Sequence, residues 1–427
     1  MGIQINGQTD TISATDGSFT ISGASGNLTG DLTGNVTGDL TGNVTGNVTG
    51  NLTGTASTAT AAATAYGISG TPTLSGITSV STSNLTVNGT AYPSAGPLSN
   101  RNLIINGAMQ VAQRGTQETG VTSAGYKLGP DRYRLSVSSI GTWTVDQSTD
   151  APDGFSNSYK LTCTTANASP TGTSNVYIQQ RMEAQSLQNL KYGTASAESV
   201  TVSFWVKSNK TGTYTFELYQ EDGDDQYSQA YSISSADTWE YKTLTFSGNT
   251  AAAIVNDNGR GLEPTWWLAG GPDWSSGTFN NTGWASRVNA NRLSPSQVNL
   301  GDATSNYWAV TGVQLEVGSV ATPFEHRSYG DELARCQRYY IKNVASVWHS
   351  DVNGSSTSSN LRASVYFPVQ MRTSPSTITT TIAYTAGNTS TTLTVQYARP
   401  TMFTTYPGQD ESSGLVLLGT YTADAEL

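Results

Sequence analysis

Ser199–Gln220 reads SVTVSFWVKSNKTGTYTFELYQ. In an extended chain successive side chains point to opposite faces. Val200, Val202, Phe204 and Val206 therefore share one face, with Thr201, Ser203, Trp205 and Lys207 on the other. Thr213–Tyr219 repeats the pattern with Tyr214, Phe216 and Leu218 inward. Between the two, Ser208–Gly212 (SNKTG) is short, polar and closed by glycine, as a tight turn requires. A hairpin with one apolar face is stable only against a second sheet. The expectation is an all-β domain with Val202, Phe204, Phe216 and Val313 in its core.

That pattern extends over residues 100–330, which read as one all-β domain, a single β-sandwich. Near its end Trp308 and Val310 have one parity, and Val313, Leu315 and Val317 the other. A bulge at Gly312 reconciles the two faces. Helical pattern is scarce: Glu183–Leu190 (EAQSLQNL) is the best short candidate, and residues 331–340 (DELARCQRYY) read as a brief helix or a linker. Residues 331–427 are expected to form a smaller C-terminal β-domain with strands at 361–370, 391–397 and 414–421, and to end in a strand without a flexible tail.

The first hundred residues differ in kind. They hold four Asp, no Lys, Arg or Glu, and three aromatics, Phe19, Tyr66 and Tyr92. From Gly26 to Thr53 the tetrad G-[ND]-[LV]-T recurs seven times. The spacing of four excludes collagen, whose period is three. In an extended chain it lines Leu28, Leu32, Val36, Leu40, Val44, Val48 and Leu52 along a single face. One chain leaves that stripe in water, whereas three chains around an axis bury it. Residues 26–99 are thus expected to be an intertwined homotrimeric β-structured shaft and neck. The competing reading is a flexible low-complexity linker.

Composition excludes several classes. Charged residues make up 12% of the 427, with a net charge of -10 and no basic patch, which argues against nucleic-acid binding. No stretch approaches the ~20 apolar residues of a membrane span, so no membrane insertion is expected. The opening MGIQIN lacks a basic start and an apolar run, so no signal peptide is expected. Cys163 and Cys336 cannot make a disulfide framework and read as small buried hydrophobes. His326 and His349 leave little for a His-based triad, and His326 with Arg327 reads as a capping or bridging pair.

One region carries the residue types of a sugar site. Arg260–Trp284 reads RGLEPTWWLAGGPDWSSGTFNNTGW, taken as loops. Trp266, Trp267, Trp274 and Trp284 supply rings for C–H stacking; Asp273 and Asn280 supply partners for hydroxyls. Trp348, just before the polar stretch Asp351–Asn360, is a second candidate ring. The competing reading is that these tryptophans fill interfaces. Glu221–Asp225 (EDGDD) offers Asp222, Asp224 and Asp225 as oxygen ligands for a structural calcium, against an acidic hairpin turn; no other cofactor is expected. Asp257, Glu263 and Asp273 are the carboxylates available to a glycosidase, at no diagnostic spacing.

Asn100–Gly115 (NRNLIINGAMQVAQRG), Val313–Tyr340 (VQLEVGSVATPFEHRSYGDELARCQRYY), the opening MGIQINGQTDTISATDGSFTISG and 367–379 (FPVQMRTSPSTIT) resemble the tail-fibre proteins of marine tailed phages, cyanophages especially. Residues 199–220 with 237–246 (DTWEYKTLTF) also resemble carbohydrate-binding modules of the jelly-roll type, which implies a jelly-roll-like β-sandwich over 100–330. The resemblance implies a homotrimeric virion fibre. Residues 1–25 would then be a virion-attachment segment sitting on a tail or baseplate protein, and the C-terminal end would face the host. The leading expectation is a non-enzymatic adhesin for a surface glycan such as lipopolysaccharide. The alternatives are a fibre-borne depolymerase and a purely structural spike.

Overall fold

The alternation at 199–220 becomes a hairpin of two nine-residue strands. The computed structural model describes residues 85–87, 90–92, 100–344, 348–350, 363–386, 393–407 and 415–427. The attachment segment, the tetrad repeat and the stretch 351–360 lie outside the described residues. A short hairpin, β1 (Leu85–Val87) with β2 (Thr90–Tyr92), comes first.

The main sandwich is built from β3 (Gln117–Val121), β4 (Gly125–Tyr126), β5 (Tyr133–Ser138), β6 (Thr142–Ser148), β7 (Ser158–Thr165), β8 (Asn175–Gln180) and β9 (Met182–Glu183). A 3-10 turn over Ala184–Leu190 stands where the helical pattern was read. Next come β10 (Val200–Ser208), β11 (Gly212–Gln220), β12 (Asp225–Ile233), β13 (Glu240–Phe246), β14 (Arg260–Gly270), β15 (Ala285–Ser286) and β16 (Tyr307–Val317). One sheet has the order β13-β10-β16-β7-β6-β3. The other runs β15-β12-β11-β14-β8-β5-β4, with β9 also on β14. Every strand pair in both sheets is antiparallel.

Val202, Phe204, Phe216 and Val313 are all fully buried, as the alternation requires. The rings of Phe204 and Phe216, one from each sheet, stack with centroids 6.1 Å apart. The predicted bulge is present: Ser203 pairs with Gln314 and Trp205 with Thr311, so Phe204 alone faces both Gly312 and Val313. Gly312 takes φ +60°, and a Cβ there would lie 2.7 Å from the Phe155 ring. Glycine is required at this position.

Helix α1 (Tyr329–Gln337) is capped by Ser328, whose side chain accepts from the Asp331 N–H. It spans the expected boundary at 330/331, and Glu332 within it accepts from the Asn106 N–H at 2.5 Å. Six strands and one three-residue piece follow: β17 (Tyr340–Val344), β18 (Trp348–Ser350), β19 (Ala363–Tyr366), β20 (Thr377–Ala386), β21 (Leu393–Arg399), β22 (Met402–Pro407) and β23 (Leu415–Asp424). They form sheets β17-β23-β18, with β20 on β23, and β19-β22-β21. Their own core contains Ile341, Val365, Phe367, Met371, Phe403 and Tyr421. The Thr-rich β20 was not foreseen, because TITTTIAYTA has too few large apolar side chains to mark a buried face.

Polar contacts join this smaller unit to the sandwich. Glu183 accepts from Arg338 Nε (2.8 Å) and Nη2 (2.6 Å) and from the Tyr339 hydroxyl (3.0 Å). Arg132 pairs with Glu426 and lies 3.4 Å over the Tyr339 ring. Arg114 lies 3.6 Å over Tyr340.

Candidate functional site

The stretch 260–284 is not a set of loops. Residues 260–270 are β14, an interior strand of the eight-stranded sheet. Adjacent strand residues face opposite ways, so Trp266 and Trp267 part company. Trp266 enters the core, edge-on to Phe216 at 4.9 Å and Phe204 at 5.8 Å. Trp267 points to the sheet's other face and is nevertheless fully buried. The segment after β14 covers it: Trp274 lies 5.3 Å from its ring and Arg292 4.9 Å above it. Neither Trp266 nor Trp267 has surface open to a sugar, which corrects that assignment.

The other candidates separate as well. Asn280 donates its amide to Gln226 O (2.8 Å) and accepts the Ser228 N–H on its carbonyl (2.9 Å), so it trims the edge of β12. Trp284 donates to Ser247 O at 2.7 Å and packs edge-on against Tyr192 and Tyr227. Trp274 is half-buried, with its ring packed on Trp267. Asp273 is exposed beside it. Trp348 opens β18, paired with Leu417.

The acidic run is a hairpin turn. Asp222 accepts from the Val255 N–H, Asp224 from Arg287 and Tyr219, and Asp225 from Asn249. Three carboxylates turned to three sets of donors do not make a calcium site. Among the described residues no group of three His, Cys, Asp or Glu side chains converges. Glu263 is ion-paired by Arg181 and Arg260.

Aromatic side chains do gather elsewhere, on the outer face of the six-stranded sheet. Trp205 points outward from β10, directly opposite Tyr241 of β13, with centroids 5.3 Å apart. On the other side of Trp205 the Gly312 bulge leaves a hollow, and Phe155 lies over it. Phe155 meets Phe324 at 5.0 Å and His326 at 5.3 Å. The resulting open cleft has a volume of about 590 Å³ and is also lined by Asp153 and Thr322. Tyr241 is 45% exposed. His326 is exposed within this cluster instead of capping the chain; its neighbour Arg327 does the bridging, to the carbonyls of Ile104 and Asn102.

A polar node lies one step along the same strands. Lys207 follows Trp205 on the outward face and donates to Asp150 at 2.9 Å. Asp150 also accepts from the Trp239 indole at 3.1 Å, and Lys207 lies 5.9 Å over that ring. Partial burial pushes the Asp150 carboxyl up, but the Lys207 and Trp239 hydrogen bonds outweigh it and hold the group below the ordinary carboxylate value.

Sequence reading passed over this cleft. Its one local signal is Trp205, a large aromatic on the outward parity of an alternating strand. The other rings come from residues 155, 241, 324 and 326, which only the fold assembles.

No family model matches the chain, and no curated protein matches it. Among solved structures it is similar to the enzymatically active domain of tailspike protein 4 from bacteriophage CBA120, at 12% identity and TM-score 0.27. That match covers 51% of this chain and 21% of the tailspike chain. It is similar also to a putative sugar binding protein from Bacteroides thetaiotaomicron, at 10% identity and TM-score 0.29, covering 51% and 100% of the two chains. A third is the xylan-binding domain from Paenibacillus barcinonensis Xyn10C, at 12% identity and TM-score 0.22, covering 48% and 99%. Likenesses this distant assign no residue of this chain a role.

Proposed function

We propose that this chain is a tail fibre of a tailed phage and that its sandwich binds a host-surface glycan in the Trp205 cleft. One observation carries the binding assignment. The outer face of an antiparallel sheet is normally polar. Here it holds Trp205, Tyr241, Phe155 and Phe324 around an open hollow, with Asp153 and His326 at hand. Aromatic faces stack on the C–H faces of sugar rings, and the polar groups meet their hydroxyls.

The virion role rests on the sequence resemblance and on the Leu/Val stripe of residues 28–52, which needs partner chains. The fibre is then a homotrimer with three clefts, attached to the tail by its N-terminal segment. It binds without cutting.

Binding to extracted surface glycan, and adsorption to host cells, test the reading. Trp205→Ala and Tyr241→Ala should each fold normally and weaken a single site by about 1–3 kcal/mol, the scale of aromatic–base stacking. Avidity across three sites magnifies the loss in adsorption. Trp274→Ala should bind like the wild type. If both cleft variants bind normally, the site lies elsewhere. Release of new reducing ends from the glycan by purified protein would favour the depolymerase instead.

A further inference from the structure

We propose a second, independent site: a pocket for a tetrahedral oxyanion, phosphate or sulfate, where the sandwich, α1 and the smaller unit meet. The pocket has a volume of about 170 Å³ and is lined by Arg132, Arg181, Arg335, Glu183, Asn100 and Ser186 among others. One water occupies roughly 30 Å³ of liquid. The space therefore admits such an ion together with water.

The donors in this pocket exceed the acceptors. Glu183 contributes the carboxylate, and both its oxygens are already filled by Arg338, Tyr339 and Gln185. Arg132 is only 1% exposed; it spends Nη1 on Glu426 and Nη2 on Arg181 O, and its Nε has no acceptor. Buried N–H groups of this kind are rarely left without a partner. Charge follows the same pattern. Arg132 is matched by Glu426, Arg181 by Glu263 and Arg338 by Glu183. Arg335 donates to Asn100 Oδ1 at 3.1 Å, and no ion pair involving it occurs among the described residues. Arg335 is thus the one guanidinium lining this pocket that has no carboxylate partner among the described residues, while the Asp331 carboxylate lines the adjoining cleft.

Access is open. A shallower cleft of about 520 Å³ adjoins the pocket, shares Asn100 and Arg335 with it, and adds Arg327, Arg338 and the Asp331 carboxylate to its walls. An oxyanion entering there meets three guanidinium groups, whose planar forks suit phosphate and sulfate oxygens, against that one carboxylate. The same chemistry is carried by the free ion and by a phosphate or sulfate substituent on a glycan.

Calorimetric titration of the full chain with sodium phosphate and sodium sulfate, at ionic strength fixed by sodium chloride, tests the proposal. Saturable binding is expected, with a rise in the thermal transition by mass action that chloride does not reproduce. Arg335→Ala should weaken binding by about tenfold or more, the scale of one lost charge-assisted hydrogen bond. Arg335→Lys should retain part of it, and Trp205→Ala should leave it unchanged. Glucose 6-phosphate separates the sources. Binding as tight as phosphate means a glycan-borne group, and binding of the inorganic ions alone means a free ion; either upholds the site. No saturable heat with either ion, or equal binding by Arg335→Ala, overturns it.

Discussion

Arg292 and Glu217 form a forked ion pair that clamps the segment after β14 onto the outer face of the eight-stranded sheet. Arg292 Nε lies 2.8 Å from Oε1 and 3.1 Å from Oε2, and Nη2 lies 2.8 Å from Oε2. The Trp267 indole donates to the same carboxylate at 2.8 Å. Glu217 is fully buried. Burial pushes the Arg292 guanidinium down, but Glu217 more than offsets this and its affinity for the proton is raised. This clamp explains why a tryptophan on the outward parity of β14 is closed to solvent.

Breaking the pair from one side should be costly. Glu217→Gln leaves the Arg292 charge buried without a counter-ion and should destabilise the sandwich by about 3–5 kcal/mol. Urea unfolding monitored by tryptophan fluorescence measures it. A loss within about 0.5 kcal/mol, the range of ordinary surface substitutions, would mean that solvent reaches the guanidinium.

The core assignment is checked at Phe204, which touches Phe216, Tyr231 and Trp266. Phe204→Ala should cost about 3–5 kcal/mol, the range for emptying a buried aromatic site. Equilibrium unfolding that leaves the midpoint unmoved would refute the inward face assigned to β10.

Gly312 links fold to cleft. Gly312→Ala forces an L-residue into the left-handed region, at about 1–2 kcal/mol, and drives a methyl group into the Phe155 ring. The variant should be less stable and should also lose glycan binding, because Phe155 must leave its place over the bulge. Stability lost with binding intact would show that Phe155 is no part of the glycan site.

Acid should loosen the strap around residues 318–327. Glu325 accepts from the Asn102 N–H at 2.9 Å and from Arg327 at 3.2 Å. Burial raises its carboxyl, yet the Asn102 hydrogen bond and the Arg327 charge hold it below the ordinary 4.5. A carboxyl whose folded value is depressed contributes stability that is present above its unfolded value and lost as pH falls through the folded one. The thermal midpoint should therefore drop below about pH 4, and less steeply for Glu325→Gln than for wild type. Parallel curves for the two proteins would remove Glu325 from the account.

Assembly is the remaining expectation. Sedimentation of the full chain should give a trimer of roughly three times 45 kDa. Replacing Val36, Leu40 and Val44 together with Asp should abolish it, because burial of three charges per chain at an axis is prohibitive. A monodisperse wild-type monomer would refute the fibre reading.

The local parity of side chains determined much of this protein. Period two at 200–206 and 213–219 placed Phe204 and Phe216 inward, and the parity change around Gly312 required the bulge. Both features depend only on neighbours along the chain. Which faces stay open was decided by tertiary structure. Trp205 and Trp267 both lie on outward parities, and nothing within their own strands distinguishes them. Trp267 is closed because Trp274 and Arg292, 7 and 25 residues further on, fold back over it. Trp205 stays accessible because Gly312, Phe155 and Phe324 build a hollow beside it rather than a cover. Facing direction follows from backbone geometry one residue at a time, whereas coverage follows from long-range packing of distant segments.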